Sequence, residues 1–67
     1  MRSAADLLAE AVKDLHKAET IERAVSRIVR RHGGTYPEYL EIIGEVRDLA
    51  RKEKITPLQA ARKIAQL

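Results

Sequence analysis

Apolar residues recur every three or four positions along most of this chain, which is the spacing of one side of an α-helix. The first segment with this pattern covers about residues 4–18. Its apolar side carries Ala4, Leu7, Leu8, Ala11, Val12 and Leu15, and charged residues fill the opposite side. The pattern therefore predicts an amphipathic helix.

Three further segments, at about residues 21–32, 37–54 and 57–67, show the same periodicity. The apolar positions are Ile21, Ala24, Val25, Ile28 and Val29 in the second, Tyr39, Ile42, Ile43, Val46, Leu49 and Ala50 in the third, and Leu58, Ala61, Ile64 and Ala65 in the fourth. Leu40 falls outside the apolar side of the third segment and Tyr36 precedes that segment, so both are candidates for uncovered apolar surface. Gly44 lies in mid-helix, where glycine costs about 1 kcal/mol relative to alanine, so we expect another helix to approach closely there.

Each segment begins with residues that favour a helix start. Ser3, Thr20, Thr35 and Thr56 occupy the four N-cap positions, and prolines follow the last two. Gly33 and Gly34 end the second segment, since glycine adopts the left-handed conformation of a helix C-terminus without steric cost. No strand pattern is present. We therefore predict an all-α fold, a small bundle of three to four short helices, with residues 1–67 forming a single helical domain.

The composition limits how this fold can be stabilised. The chain has 67 residues and contains no Cys, Trp or Phe, so disulfides are excluded and the core must be aliphatic. Domains of this size bury only about 60% of their unfolded surface. A homo-oligomer, most simply a dimer, would add apolar burial. The missing cysteines, and the absence of a signal peptide or a long apolar run, predict a cytoplasmic protein without a membrane role.

Charge is arranged in two rows. The 13 basic and 10 acidic residues give a net charge of +3. The second helix is predicted to carry a basic row of Arg23, Arg27, Arg30 and Arg31, and the third an acidic row of Glu38, Glu41, Glu45 and Asp48. The arginines could contact phosphates, lie in solvent, or pair with acidic groups in this fold or in another protein. The acidic row is expected to be a solvated surface or an interaction surface.

Residues suited to catalysis are few. The serine and threonines at the helix starts are explained as caps, His16 is expected in solvent, and His32 is expected to be half-buried or to cap the second helix. The glycine pair lacks the spacing of a phosphate-binding loop. We therefore expect a non-enzymatic protein with no cofactor, no metal site and no small-molecule substrate.

Two functions remain as hypotheses. The first is a protein-interaction or regulatory module that self-associates, or binds another protein, through apolar Ala, Ile and Leu helix faces, with the two opposed charge rows setting orientation. The second is a small DNA- or RNA-binding regulator that contacts phosphates through the arginine row of the second helix. Few aromatic or amide side chains accompany these arginines, which gives base recognition little support.

Overall fold

The structure is a computed structural model that describes residues 3–66. Four helices follow one another, and no residue in this range forms a strand. Their bounds are α1 Ala4–Lys13, α2 Ile21–Arg31, α3 Tyr36–Glu53 and α4 Pro57–Ala65. The prediction of a small all-α bundle is confirmed. The fourth helix ends before the predicted limit, and that limit, Leu67, lies outside the described residues.

The predicted N-caps are all present. The side chains of Ser3, Thr20, Thr35 and Thr56 each accept a hydrogen bond from the backbone N–H three residues later. In α3 and α4 the residue at that third position, Glu38 or Gln59, also accepts a hydrogen bond from the backbone N–H of the cap. These reciprocal capping boxes satisfy backbone donors that have no partner within the helix.

The first helix is shorter than its apolar pattern predicts. It ends at Lys13 instead of Ala18, and residues 14–20 form the connection to α2. The Glu19 side chain accepts a hydrogen bond from the backbone N–H of His16, a donor that a continued helix would pair with the carbonyl oxygen four residues earlier. Further along the connection, Ala18 has a positive φ of 65°, which is not helical. Leu15 still packs against the core from within this connection.

The four helices pack around one aliphatic core. Helix α4 packs against α1 and α3, and α2 packs against the same two helices. The buried residues are Leu7, Leu8, Ala11, Ile21, Ala24, Val25, Ile28, Val29, Ile42, Ile43, Val46, Ala50, Ala60 and Ala61. Nearly all of them are predicted apolar positions, so helical periodicity identifies the core correctly.

The expected role of Gly44 is wrong within this bundle. A Cβ atom built at Gly44 would meet nothing within 4 Å, so no helix of the same molecule approaches closely there. The close approach occurs instead at Gly34, where a Cβ atom would lie 2.6 Å from Cγ1 of Val29. Gly33, which follows the C-cap of the second helix, has the positive φ of 73° that glycine adopts without strain.

No helix within residues 3–66 combines the length and apolar character needed to cross a membrane. The cytoplasmic location stays a prediction.

Candidate interaction surfaces

The four arginines of the predicted basic row do not form one surface. Arg27 and Arg31 turn toward α1 and the connection that follows it, where they meet carboxylates of the same chain. Arg23 and Arg30 are exposed, and neither forms an ion pair within residues 3–66. Of the alternatives that the sequence leaves open for these arginines, ion pairing with acidic groups of the same chain is therefore the correct one for Arg27 and Arg31.

Arg27 bridges the C-terminus of α1 and the start of α2. Its Nη1 donates to Oδ2 of Asp14 at 2.6 Å, and Nη2 donates to the carbonyl oxygen of Asp14 at 2.8 Å. Nη2 and Nε also donate to the two carboxylate oxygens of Glu19, at 2.8 and 3.3 Å. The side chain of Arg27 is only 25% exposed, and that of Glu19 only 14%, so the contact between these two side chains is largely shielded from water, whereas Asp14 is more exposed.

Arg31 and His32 extend these contacts along α1. Arg31 donates to Glu10 at 2.9 Å and to Asp14 at 3.0 Å. Nε2 of His32, the half-buried C-cap of α2, lies 2.8 Å from the other carboxylate oxygen of Glu10. We call this set the α1–α2 ion-pair cluster; it consists of Glu10, Asp14, Glu19, Arg27, Arg31 and His32. His16 lies largely in solvent, as expected.

The cluster stabilises the ionised form of its carboxylates. Hydrogen bonds from Arg27, and then from the backbone of His16, lower the pKa of Glu19 from 4.5 to about 2. The pKa of Asp14 is lowered by hydrogen bonds from Arg27 and Arg31, and that of Glu10 by its hydrogen bond with His32 and then by Arg31. The same contacts raise the pKa of both guanidinium groups. Opposite charges at hydrogen-bond distance produce these shifts.

A polar hollow lies beside the cluster. It has a volume of about 600 Å³, is open to solvent, and is lined by Asp6, Ala9, Glu10, Lys13, Asp14, Arg31 and His32. His32 and the carboxylates of Glu10 and Asp14 are hydrogen-bonded to one another or to arginines. Within residues 3–66, no three carboxylate or imidazole groups are placed to hold a metal ion. That the protein is not an enzyme stays a prediction.

The predicted acidic row also divides. Glu38 belongs to the capping box of α3, where Oε1 accepts hydrogen bonds from the backbone N–H and hydroxyl of Thr35. Its Oε2 is buried and has no hydrogen-bond partner among the described residues. Glu41, Glu45 and Asp48 are exposed, and Asp48 pairs with Arg51 one turn further along.

The two rows do not pair with each other within the part of the chain that the structure describes. The ion pair that joins α2 and α3 is a long one, 3.9 Å from Glu22 to Arg47, and it has the opposite polarity, with the acid on α2 and the base on α3. Within residues 3–66, the basic row of α2 and the acidic row of α3 therefore do not hold these two helices together.

An exposed apolar surface lies on α3. Tyr36 is 70% exposed and Leu40 is 44% exposed, and they are the large hydrophobic side chains most open to solvent among residues 3–66. The ring of Tyr36 stacks on that of Tyr39, with ring centroids 5.9 Å apart. Positions 36, 40 and 44 lie on one side of the helix because they are spaced by four residues. We call Tyr36, Leu40 and Gly44 the α3 face.

The parts of this face were visible in the sequence only separately. Leu40 falls outside the apolar side of the third segment, Tyr36 precedes that segment, and Gly44 is expected to let another helix approach closely. Because these residues are four positions apart, helical spacing alone could have placed all three on one side of α3.

No model of a known protein family, no curated protein sequence and no solved structure matches this chain.

Proposed function

We propose that this chain is a protein-interaction module that self-associates through the α3 face. The observation that carries the proposal is the position of Tyr36 and Leu40, one helical turn apart and both exposed to solvent. A large apolar side chain stabilises a contact by about 1.5–3 kcal/mol when it passes from full exposure to full burial. A second molecule would supply the covering surface.

The size of the fold supports the same function. No aromatic residue is among the buried residues of the described chain, and most of those buried residues are alanine or valine. Small aliphatic residues bury little area each, so association adds burial that the monomer lacks. Arg27 and Arg31 are not needed for this association, because they already bind carboxylates of their own chain.

Sedimentation equilibrium tests the proposal. Over about a hundredfold range of concentration we expect the mean mass to rise from that of one chain toward two. Leu40→Gln should shift this rise to higher concentration, and Tyr36→Gln with Leu40→Gln should shift it further. The matched control is Arg62→Gln, which also introduces glutamine but does so at an exposed position on α4. A constant monomer mass for the unaltered chain would contradict the proposal.

Nucleic-acid binding is the second candidate, and it is favoured by the exposure of Arg23 and Arg30. With these two arginines alone in contact with phosphates, the logarithm of the binding constant should fall against the logarithm of salt concentration with a slope of about −1.8 for duplex DNA and about −1.4 for single strands. Titration of heterogeneous duplex and single strands at low salt checks this. Arg23→Gln with Arg30→Gln should abolish the binding, and its persistence would move the contact elsewhere.

A further inference from the structure

We propose that the α3 face binds α3 of a second copy, with the two helices antiparallel and crossing at Gly44. This inference rests on the proposed function and adds to it which surface of the second copy is contacted and how the two helices are arranged. A two-fold axis beside Gly44 relates the two chains, so each contact occurs twice.

Gly44 is the first reason for this arrangement. It lies in the middle of an 18-residue helix, where glycine is less stabilising than alanine. Nothing in the bundle accounts for glycine here, because the space beside its missing Cβ is open. Helices pack with their axes about 8–10 Å apart, and the smallest side chains at the crossing point allow the closest approach. A second helix over Gly44 gives this residue a function.

The distribution of charge along α3 is the second reason. Between the start of the helix and Gly44, the charged residues are the acids Glu38 and Glu41, and there is no basic residue. After Gly44, α3 and its C-cap carry four basic residues, Arg47, Arg51, Lys52 and Lys54, and three acids, Glu45, Asp48 and Glu53. An antiparallel pair places the acidic first part of each helix, with a net charge of −2, over this second part of the other, with a net charge of +1, so opposite net charges face each other.

The positions on either side of Gly44 are the third reason. Leu40 precedes Gly44 by four residues and Arg47 follows it by three. An antiparallel pair therefore brings Leu40 of one chain beside Arg47 of the second copy. The aliphatic stem of an arginine can cover such a leucine while its charged end stays in water. Tyr36 and Arg51 are related in the same way. Arg51 pairs with Asp48 of its own helix, but its side chain is 77% exposed, so its guanidinium group can also lie over a tyrosine ring in a favourable cation–π contact.

A parallel pair is disfavoured by the same residues. It would place each Arg47 beside the other and each Glu41 beside the other, so that like charges lie at equal heights along the two helices. It would also align the two helix dipoles in the same direction, with their like ends together.

Gly44→Gln tests the crossing point. Glutamine is a good helix former and meets open space in the monomer, so this variant should fold and should unfold at a higher temperature at low concentration. A side chain inserted at the closest contact should raise the dimer dissociation constant about tenfold or more. An unchanged dissociation constant in sedimentation equilibrium would overturn the inference and leave the proposed function intact.

Cysteine cross-linking tests the orientation, and the described chain contains no cysteine of its own. In the antiparallel pair, the two copies of position 40 lie about 12 Å apart along the axis and the two copies of position 47 about 9 Å apart, too far for a disulfide. A mixture of Leu40→Cys and Arg47→Cys chains should therefore form a mixed disulfide, while neither variant alone should cross-link. Cross-linking of Leu40→Cys with itself would overturn the orientation. A chain that stays monomeric would instead contradict the proposed function.

Discussion

Arg27 joins parts of the chain that helical periodicity alone does not connect. Its guanidinium group holds Asp14 at the end of α1 and Glu19 before the start of α2. The planar fork of donors in arginine allows several such bonds at once, which the point charge of lysine does not. The geometry of the α1–α2 connection therefore depends on this side chain.

We expect Arg27→Gln to destabilise the protein more than Arg23→Gln. Glutamine at position 27 leaves the largely buried Glu19 carboxylate without its cation, whereas Arg23 is exposed and forms no ion pair within the described residues. Thermal unfolding followed by circular dichroism gives the comparison. Equal unfolding temperatures for the two variants would show that the contacts of Arg27 contribute nothing to stability.

The α1–α2 ion-pair cluster also predicts how stability depends on pH. The pKa of Glu19 is lowered from 4.5 to about 2, and those of Asp14 and Glu10 are lowered as well. A lowered carboxyl pKa contributes stability that is fully present above the unfolded value and is lost as pH falls toward the folded value. The unfolding temperature should therefore fall between pH 4.5 and about 2. Across this range, the unfolding temperature of Arg27→Gln should fall less than that of the unaltered protein, and the unfolding temperature of Arg23→Gln should fall as much. Equal falls in the two variants would contradict the role of Arg27.

Only part of this cluster could be predicted from the sequence. The positions of Arg27 and Arg31 on α2 follow from helical spacing, but that spacing does not say which helix lies beside them. Their partners are 8 to 21 residues away along the chain. The pairing depends on how α1 and α2 cross, which no local pattern determines.

Among the helices, the starts were easier to predict than the ends. A start is set by a few adjacent residues, such as Thr56 and Pro57, whose side chains act on the nearest backbone. The end of α1 depends instead on contacts between the connection and the next helix, so apolar spacing wrongly extended α1 to Ala18. The end of α3 differs from both, because the left-handed conformation there is adopted by Lys54, which is not a glycine and has a φ of 56°.

Two glycine substitutions at the end of α3 should have opposite effects. Lys54→Gly should stabilise the protein by up to about 1 kcal/mol, because glycine adopts the left-handed conformation without a steric cost. Lys52→Gly, two residues earlier and inside the helix, should destabilise it by about 1 kcal/mol. Urea unfolding measures both. Effects of the same sign would contradict the helix end at Glu53 and Lys54.

At the scale of the whole molecule, the large hydrophobic side chains within residues 3–66 are mostly covered by the bundle, and those of the α3 face are the exception. Leu8, Ile28 and Ile43 are fully buried, whereas Tyr36 and Leu40 remain open to solvent. Sequence patterns identified which residues form the core, because burial follows helical periodicity. The same periodicity separates Gly44 from the apolar side of α3, but it could not show that no other helix covers the side on which Gly44 lies, because that depends on the packing of α3 in three dimensions.

Association through this face should make stability depend on concentration. A partner that binds only the folded chain raises the unfolding temperature as concentration rises, and for the unaltered protein we expect this rise in scanning calorimetry over about a hundredfold range. Leu40→Gln should remove most of the rise. It should leave the unfolding temperature at the lowest concentration nearly unchanged, because Leu40 is already 44% exposed in the monomer. A loss of stability at every concentration would instead assign Leu40 to the core of the single chain.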